Sequence, residues 1–391
     1  MSTSPLLVVN GLFLDHPHTG TGVYTREVLA RLLHPDRETQ GAPANDWRVQ
    51  VVGHPEHRDL FGPVTPPYLA RQGLPRTRAS KLEKVWWEQA ILPLTTRRLG
   101  ADLLYAPYFS LPLFSGAPGV VTVHDLVPLV LPEYAPSAPF KAYFKLVAAA
   151  TRRAAAVVTD SAHSAHDITT LLDVPRERIH VVPLGVDARY SAPVTGGEIA
   201  ALRAKLALPD AFMLYLGGID PRKNTSVLLR ALALLRDRGA AHLPLVFVGG
   251  RGGRFADPRH EAARLGLAGH VSFIEWVEDE DKPALYAAAA AFAYPSRYEG
   301  FGLPPLEAMA AGTPVLCADA SSLPEVVGDA ALTLDPDDVD AWADAWTRIG
   351  DDAALRARLA EAGRLRAAAF TWDATVAGLR AVFAQALAPH R

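Results

Sequence analysis

Residues 291–318 read AFAYPSRYEGFGLPPLEAMAAGTPVLCA, in which a strand, a glycine turn, a helix and a second strand follow one another. The apolar runs Ala291–Tyr294 and Val315–Ala318 have the length and composition of fully buried strands, and Pro305–Ala310 has a helical pattern. Two strands joined through a helix form a β-α-β unit, in which the strands run parallel. This stretch therefore predicts an α/β fold built on a parallel sheet.

The same alternation of short apolar runs and longer helical patterns continues on both sides of this stretch. Further strands are predicted at 6–10, 49–52, 103–105, 120–124, 156–159, 179–182, 212–216, 245–248 and 271–273. Helices are predicted at 23–33, 81–96, 140–155, 164–172, 226–238, 258–265, 282–290, 339–349, 352–370 and 372–388. Segments 34–48 and 53–80 are rich in Pro, Gly and Arg, so we interpret them as loops with little regular structure.

A chain of 391 residues is long enough for two domains. After Pro183-Leu184-Gly185-Val186-Asp187 the alternation of strands and helices is interrupted by a stretch rich in Pro, Gly and Ser at 191–197. We therefore place the interdomain linker between residues 183 and 207. We therefore expect doubly wound, Rossmann-like domains at 1–190 and 191–370, followed by a C-terminal helix at 371–391. In such domains ligands bind in the crevice outside the carboxyl ends of the strands.

Composition narrows the class of protein. Hydrophobic residues make up 49% and charged residues 21%, which is typical of a packed chain and too apolar for disorder. The net charge of −3 does not indicate a nucleic-acid-binding protein. A single cysteine, Cys317, excludes an internal disulfide and a Cys-based zinc site. With no long apolar segment and no basic N-terminal region, we expect a cytoplasmic protein without a signal peptide.

The segment LGGIDPRKN, residues 216–224, joins a predicted strand to a helix through a glycine turn and the cations Arg222 and Lys223. Two fixed cations at the start of a helix suit a diphosphate. The spacing is not that of a P-loop, and a solvated Arg-Lys pair in a loop is an equally weighted alternative.

Glu299 and Glu307 flank the turn Gly300-Phe301-Gly302 and the following Leu303. The N–H groups of the turn and the helix N-terminus can bind an anion or a hydroxyl group. A carboxylate can accept two hydrogen bonds from a vicinal diol, so the pair suits ribose and sugar hydroxyls.

These motifs resemble those of the retaining glycosyltransferases of family GT4, which have the GT-B fold, and in particular its bacterial mannosyltransferase-like members. The resemblance rests on the Glu-x7-Glu spacing of Glu299 and Glu307 and spans nearly the whole chain. Further matching segments are Pro295-Ser296, EAMAAGTPV at 307–315, SSLPEV at 321–326, GGIDPRKN at 217–224, GTGVY at 20–24, Trp87-Glu88-Gln89, His124-Asp125-Leu126 and PLGVD at 183–187.

The resemblance implies two Rossmann-like domains facing a central cleft, with the C-terminal helix returning to the first domain. It implies that Lys223 and Arg222 bind the donor diphosphate, Glu307 the ribose hydroxyls and Glu299 the transferred sugar. The backbone at Gly300, Phe301, Gly302 and Leu303 would complete that cradle. Many relatives carry an arginine where this chain has Gly218, so Arg222 and Lys223 are expected to neutralise the phosphates without that partner.

In the first domain the resemblance implies that Gly20 and Gly22, in the loop after the first strand, approach the diphosphate. It also implies that His124 faces the transferred sugar as a catalytic residue. A histidine between Val123 and Leu126 can instead be a core residue, but its place at the end of a strand favours the functional interpretation.

The choice of nucleobase is predicted from the loop WVEDEDK, residues 276–282, which resembles the loop that holds the base in the family. Asp279, beside Val277, could accept hydrogen bonds from guanine, which favours GDP over UDP. An acidic cap on the helix near Lys282 is an equally weighted alternative.

We therefore predict a retaining hexosyltransferase that moves mannose from a nucleoside-diphosphate sugar to a glycan or lipid-linked acceptor in polysaccharide or glycoconjugate biosynthesis. No cofactor and no metal are expected. Three alternatives remain: a metal-dependent transferase using Asp279-Glu280-Asp281 or Asp338-Val339-Asp340, a sugar-nucleotide epimerase, and a non-catalytic nucleotide-sugar-binding protein.

The acceptor side is less defined. Trp86 and Trp87 lie near the basic residues Lys81, Lys84, Arg76 and Arg78, so the first domain could rest on an anionic bilayer such as the inner membrane. Packing of Trp86 or Trp87 in the core is at least as good an interpretation.

Overall fold

The computed structural model describes residues 4–16, 19–33, 47–53, 68–70, 81–134, 137–250 and 255–388. The chain divides into two compact units. Unit 1 comprises Met1–Gly185 together with Trp372–Arg391, and unit 2 comprises Val186–Thr371. Each unit is built on its own sheet, so the two are described separately.

Within its described part, unit 1 contains a parallel sheet of seven strands in the order β3-β2-β1-β4-β5-β6-β7. Its strands are β1 Leu6–Asn10, β2 Arg48–Gly53, β3 Tyr68–Ala70, β4 Leu103–Ala106, β5 Gly119–Thr122, β6 Ala156–Thr159 and β7 Ile179–Val181. Its helices up to the boundary are α1 Gly20–Leu33, α2 Lys81–Trp86, α3 Leu92–Leu99, α4 Val127–Val130, α5 Ala138–Arg152 and α6 Ala162–Leu172, with a π-helix at Trp87–Ile91 between α2 and α3.

Unit 2 contains, in the residues described, a parallel sheet of six strands in the order β10-β9-β8-β11-β12-β13. Its strands are β8 Met213–Leu216, β9 Leu245–Val248, β10 Val271–Ile274, β11 Ala291–Tyr294, β12 Val315–Ala318 and β13 Leu332–Leu334. Its helices are α7 Gly196–Leu206, α8 Thr225–Asp237, α9 Pro258–Arg264, α10 Lys282–Ala288, α11 Leu303–Ala310, α12 Leu323–Val327, α13 Val339–Asp351 and α14 Ala353–Ala367.

The last helix, α15 (Trp372–Leu387), belongs to unit 1, although it follows unit 2 in the chain. Its buried Phe383 packs against Tyr105 of β4 and Trp47, with ring centroids 4.9 and 5.9 Å away. Asp373 forms an ion pair with Arg31 of α1 at 2.8 Å. The C-terminal helix therefore completes the core of the unit in which the chain began.

Both sheets confirm the parallel α/β fold. The central strands β4, β5, β6, β9, β11 and β12 are buried at every position, as expected for parallel strands covered by helices on both faces. The register of β11 against β12, with Phe292 opposite Val315, belongs to the stretch that opened the sequence analysis. No helix in the described ranges has both the length and the apolarity needed to cross a membrane.

Two predictions about local structure were wrong. Tyr68–Ala70, which we interpreted as part of a loop, pairs with β2 as an edge strand, and Leu332–Leu334 forms the other missed edge strand. The linker prediction of 183–207 contains helix α7, which begins with a capping box made by Thr195 and Glu198. The compact units divide between Gly185 and Val186 and again between Thr371 and Trp372, and the domain division at 190/191 and 370/371 stays a prediction.

The strand order of each sheet determines where neighbouring loops leave a crevice between them. In unit 2 the chain builds outward from β8 through β9 to β10, and then returns to the other side of β8 with β11. The loops that leave β8 and β11 therefore diverge at the same edge of the sheet, which creates a crevice between them. The corresponding reversal in unit 1 lies between β1 and β4.

We predict that Phe383→Ala lowers the free energy of unfolding of unit 1 by about 3–5 kcal/mol, because it leaves a cavity between α15 and the sheet. The matched control is Gln385→Ala, an exposed position on the same helix, which should change stability by less than about 0.5 kcal/mol. Urea denaturation of both variants measures this. Equal effects of the two substitutions would show that α15 does not seal the core.

Candidate active site

The loop after β8 presents two cations. Pro221–Lys223 forms a single 3-10 turn, which ends at Asn224 in a left-handed conformation with φ of 51°. Asparagine tolerates this conformation better than most residues. The turn directs the side chains of Arg222 and Lys223 inward, so that Lys223 is only 8% exposed. The solvated-pair alternative is therefore wrong.

Both oxygens of the Glu299 carboxylate, in the loop after β11, are held by these cations. Lys223 Nζ lies 2.6 Å from Oε1, and Arg222 Nη1 lies 2.8 Å from Oε2. The hydroxyl of Tyr294, the last residue of β11, donates to Oε1 at 3.0 Å, and Lys223 donates to the same hydroxyl at 2.5 Å. Asp220 Oδ1 lies 3.1 Å from Arg222 Nε. We call Asp220, Arg222, Lys223, Tyr294 and Glu299 the charge cluster.

The charge cluster is buried enough to change how its members ionise. Burial alone would raise the pKa of Glu299, which is 8% exposed, but Lys223 and Arg222 outweigh burial and hold its pKa at about 2. Burial lowers the pKa of Lys223, with Arg222 acting in the same direction and Glu299 opposing. The cluster therefore contains paired charges whose balance depends on every member.

The turn between the two glutamates is fixed by two serines. Ser321 Oγ accepts from the Glu299 N–H at 2.9 Å, and Ser322 Oγ donates to the carbonyls of Glu299 and Phe301 at 2.9 and 2.7 Å. Gly302 has a φ of 125° and precedes α11, and a Cβ there would lie 2.8 Å from Leu323 Cδ2. The turn therefore requires glycine on both conformational and steric grounds.

Glu307 lies within α11 and is held by a different set of residues. Tyr286 of α10 donates a hydrogen bond to Oε2 at 3.0 Å, and the ring of Tyr190 packs on Tyr286 at a centroid distance of 5.8 Å. The Arg189 guanidinium lies 5.0 Å from the Tyr190 ring centroid. Burial raises the pKa of Glu307, against the opposing effect of the Tyr286 hydrogen bond. This side chain can accept further hydrogen bonds at the same end of the sheet of unit 2.

Unit 1 has a polar group of its own at the carboxyl ends of β5 and β6. His124 Nδ1 lies 2.7 Å from Oδ2 of Asp160, the residue that follows β6. His124 Nε2 lies 3.2 Å from the carbonyl oxygen of Pro107, and the Tyr24 ring meets the imidazole edge-on at 4.7 Å. His124 is therefore fixed from three sides.

Comparison with known proteins assigns the chain to a family. Residues 199–366 match the family model described as glycosyl transferases group 1, and residues 36–190 match that described as glycosyltransferase family 4. O-antigen chain mannosyltransferase B of Escherichia coli is 37% identical over 255 residues, which cover 65% of this chain and 67% of that protein. The chain belongs to glycosyltransferase family 4.

A further relative of this family 4 member and a structural neighbour extend the comparison. D-inositol 3-phosphate glycosyltransferase of Salinispora arenicola is 36% identical over 295 residues, covering 70% of this chain and 65% of that protein. The matches thus span about two thirds of the length of these curated relatives. The Anabaena protein HepE, solved with UDP-glucose, is 20% identical with a TM-score of 0.72, covering 97% of this chain and 99% of that one. This likeness confirms the GT-B fold.

The structure of this family 4 chain brings together Arg222, Lys223 and Glu299, as the sequence analysis expected of a common site. Gly300, Phe301, Gly302 and Leu303 form the turn and helix start beside them. Asp279 pairs through Oδ1 with Lys282 Nζ at 2.5 Å, and Val277, two residues earlier in the chain, is buried. Asp281 occupies the N-cap position of α10, but its side chain makes no capping hydrogen bond there and instead pairs with Lys205 at 2.6 Å.

The placement of Gly20 and Gly22 was wrong in one respect. They lie in the first turn of α1 rather than in a loop, because Thr19 caps the helix: its Oγ1 accepts from the Gly22 N–H at 3.0 Å. A Cβ at Gly20 would meet nothing within 4 Å, so steric crowding does not explain the glycine there.

Sequence reasoning missed the residues that support the site. Asp160, Tyr286 and Tyr294 were not singled out, although each contacts a predicted site residue. Tyrosine in an otherwise apolar strand such as AFAY is a usable signal, because a buried hydroxyl needs a polar partner. Asp160 had no such signal, since its partner is 36 residues away in the chain.

The aspartates that the metal-dependent alternative would use make other contacts in the structure. Asp338 Oδ1 accepts from the Ala341 N–H at 3.0 Å and caps α13, while Asp340 pairs with Arg238 at 2.6 Å. Within the ranges that the structure describes, no group of three His, Cys, Asp or Glu side chains could hold a metal ion.

We predict that Glu299→Gln lowers the free energy of unfolding by about 3–5 kcal/mol at pH 7, because Lys223 and Arg222 lose their buried counter-charge. The pKa of Glu299 is depressed from 4.5 to about 2, so its stabilisation is present above pH 4.5 and is lost as the pH falls towards 2. Urea denaturation at several pH values should show the wild type approaching the variant over that window. Glu280→Gln, at an exposed site of unit 2, is the control. A pH-independent difference would contradict the assignment.

Proposed function

We propose that this family 4 chain transfers a hexose, with mannose favoured, from a nucleoside-diphosphate sugar to a glycan acceptor with retention of configuration. The observation that supports it most directly is the charge cluster, in which Arg222 and Lys223 converge on Glu299 beside a glycine turn and a helix start. Family membership supports sugar transfer, while the donor, the acceptor and the stereochemistry belong to the proposal.

The two cations would bind the donor diphosphate by exchanging partners. Both are now engaged by Glu299, and Arg222 also by Asp220. A diphosphate offers more acceptor oxygens and more charge than one carboxylate, so it competes for the same N–H groups. Glu299, released in part, can then accept hydrogen bonds from hydroxyls of the transferred sugar. Binding and sugar recognition are coupled through the same ion pairs.

Glu307 suits the ribose. One of its oxygens accepts from Tyr286, and a carboxylate has several acceptor positions, so a vicinal diol can donate to those that remain. A ligand without a vicinal diol would leave these acceptor positions unpaired, which gives the site selectivity for nucleosides.

Catalysis in this proposal is electrostatic. Cleavage of the bond between the anomeric carbon and the phosphate oxygen places negative charge on the diphosphate, and the preorganised Arg222 and Lys223 stabilise it. The acceptor hydroxyl attacks from the face that the diphosphate leaves, and the leaving phosphate oxygen takes the hydroxyl proton, so the configuration is retained. The step needs no protein nucleophile, and the proposed reaction is metal-independent.

For the base we propose guanine, with uracil as the alternative to be tested. Asp279 is a partly exposed carboxylate beside buried Val277, and it would have to leave Lys282 in order to accept from guanine. Mannose is favoured because a relative at 37% identity is named a mannosyltransferase. The UDP-glucose complex of the structural neighbour supports the uridine alternative.

We predict that Lys223→Ala lowers the transfer rate by about 10²–10³, because one preorganised donor to the leaving group is lost. The assay measures mannose transfer from GDP-mannose to octyl α-mannoside and, in a parallel reaction, glucose transfer from UDP-glucose to the same acceptor. NMR determines the anomeric configuration of the product. Arg222→Lys keeps the charge but loses the fork geometry, so an intermediate loss is expected.

The control for this prediction is Lys205→Ala, which removes an exposed lysine of the same unit that pairs with Asp281. It should transfer at the wild-type rate. A Lys223→Ala enzyme with the wild-type rate at saturating donor would refute the role of the cluster, and an inverted product would refute retention.

We also propose a lipid-linked acceptor presented at an anionic membrane surface. Trp87 is buried in the core of unit 1, but the preceding Trp86 is 66% exposed at the end of α2. An exposed tryptophan is typical of an interfacial anchor. The core interpretation is thus confirmed for Trp87, and the membrane interpretation stays a proposal for Trp86. Arg76 and Arg78 lie outside the described residues.

We predict that Trp86→Ala weakens binding to vesicles of anionic phospholipid by about tenfold, because one indole no longer enters the interface. Co-sedimentation with phosphatidylglycerol vesicles measures it. The control is Leu171→Ala, which removes a 43% exposed apolar side chain of α6 in the same unit and should bind as the wild type does. Equal binding by all three proteins would argue against a membrane-bound acceptor site near Trp86.

A further inference from the structure

Both ring nitrogens of His124 face oxygen atoms. One is a carbonyl oxygen, which only accepts hydrogen bonds, and the other is a carboxyl oxygen, which only accepts while Asp160 is ionised. Nδ1 lies 2.7 Å from Asp160 Oδ2, and Nε2 lies 3.2 Å from the carbonyl oxygen of Pro107. A neutral imidazole carries one N–H and one lone pair, so it can donate to one of these oxygens but would turn its lone pair towards the other. The doubly protonated ring satisfies both contacts.

We propose that His124 is an imidazolium held by Asp160, that it serves the reaction as a cation rather than as a base, and that Asp160 is its positioning residue. The role of His124 in the reaction rests on the proposed function, whereas the charge state of its ring does not. An imidazolium has no lone pair with which to remove a proton from the acceptor hydroxyl. The base must therefore come from elsewhere, as it does when the leaving phosphate takes the proton.

The surroundings of Asp160 favour its ionised form only while His124 is charged. Asp160 is 2% exposed, and among the residues that the structure describes its Oδ1 has no hydrogen-bond partner. An isolated buried carboxylate is strongly disfavoured, so its charge depends on the imidazolium in contact with it. The two side chains therefore act as a pair.

The remaining groups around the ring add negative rather than positive charge. Asp125 is the next residue in the chain, and Tyr24 of α1 meets the ring edge-on at 4.7 Å. Tyr24 and Tyr105 share a hydrogen bond at 2.6 Å, and burial raises the pKa of both hydroxyls, so both are neutral. Burial alone would lower the pKa of His124, but Asp160, with a smaller contribution from Asp125, outweighs it and raises the pKa.

The fold builds this pair at one sheet edge. Strands β5 and β6 are neighbours in register, with Thr122 opposite Val158. Asp160 follows β6 directly and His124 lies two residues beyond β5, so both leave the sheet at its carboxyl end. Ser164 Oγ on α6 also donates to the carbonyl of His124 at 3.0 Å and fixes its backbone. The orientation of the ring is thus determined by rigid elements rather than by a mobile loop.

The charge state is tested by NMR on the full chain with 15N-labelled histidine. At pH 7 both ring nitrogens of the wild-type His124 should have the chemical shifts of imidazolium, and titration should give a pKa above the pH of that spectrum, in the raised direction that the contact with Asp160 favours. Asp160→Asn should lower this pKa by at least one unit, with Asp160→Glu restoring part of it. Asp167→Asn, which alters the separate pair with His163 at 3.5 Å, should leave His124 unchanged.

The kinetic test follows kcat against pH for transfer from GDP-mannose. A group with a raised folded pKa contributes below it, so wild-type kcat should fall as the pH rises through the measured His124 pKa. In Asp160→Asn this fall should move to lower pH together with the pKa, with KM changed less than kcat. A purely structural Asp160 would change stability without moving the profile.

The outcomes separate the inference from the proposed function. A neutral tautomer of wild-type His124 at pH 7 overturns the inference whether or not the protein transfers sugar. If Asp160→Asn fails to fold, the wild-type titration still decides the charge state. An imidazolium in a chain that transfers no hexose would instead overturn the proposed function. Activity that increases as His124 deprotonates would refute the cationic role and indicate that His124 acts as a general base.

Discussion

The Glu299 carboxylate is held at both oxygens by buried cations, and unit 2 is organised around that contact. Lys223 reaches it from the loop after β8 and Arg222 from the same turn, while Tyr294 joins them from the end of β11. Because buried charges must be paired, none of these side chains can move without leaving another uncompensated. This constraint explains why the two loops, separated by more than seventy residues, keep one arrangement.

The sheet supplies the frame for that contact. The strand order reverses between β8 and β11, so their loops leave from adjacent strands at one edge. In unit 1 the loops after two adjacent strands also bring polar side chains together. Here the side chains are His124, after β5, and Asp160, after β6. In both units the parallel sheet positions polar side chains where its strands end. In unit 2 a buried carboxylate there meets two cations, and in unit 1 a buried carboxyl group meets the imidazole of His124.

Much of the fold could be predicted because the hydrophobic pattern within each longer strand or helix indicates its secondary structure without information from the rest of the chain. The missed strands Tyr68–Ala70 and Leu332–Leu334 have three residues each, too few to show a period, and they exist because a neighbouring strand offers hydrogen bonds. The helical interpretation of 81–96 also overlooked the π-helix Trp87–Ile91, which differs from an α-helix in its hydrogen bonding rather than its pattern. For the candidate site, the cations and both glutamates were predicted by type and spacing.

The sequence by itself determined the two α/β units, the family and the residues Arg222, Lys223, Glu299 and Glu307, because motifs near a strand end carry their chemistry within a few positions. Only the tertiary structure decided which groups pair: Glu299 with both cations, Glu307 with Tyr286, and His124 with Asp160. The physical reason is that burial and charge pairing depend on contacts between distant segments, which no local pattern records. Those contacts also decide the protonation of each group, and hence its chemical role.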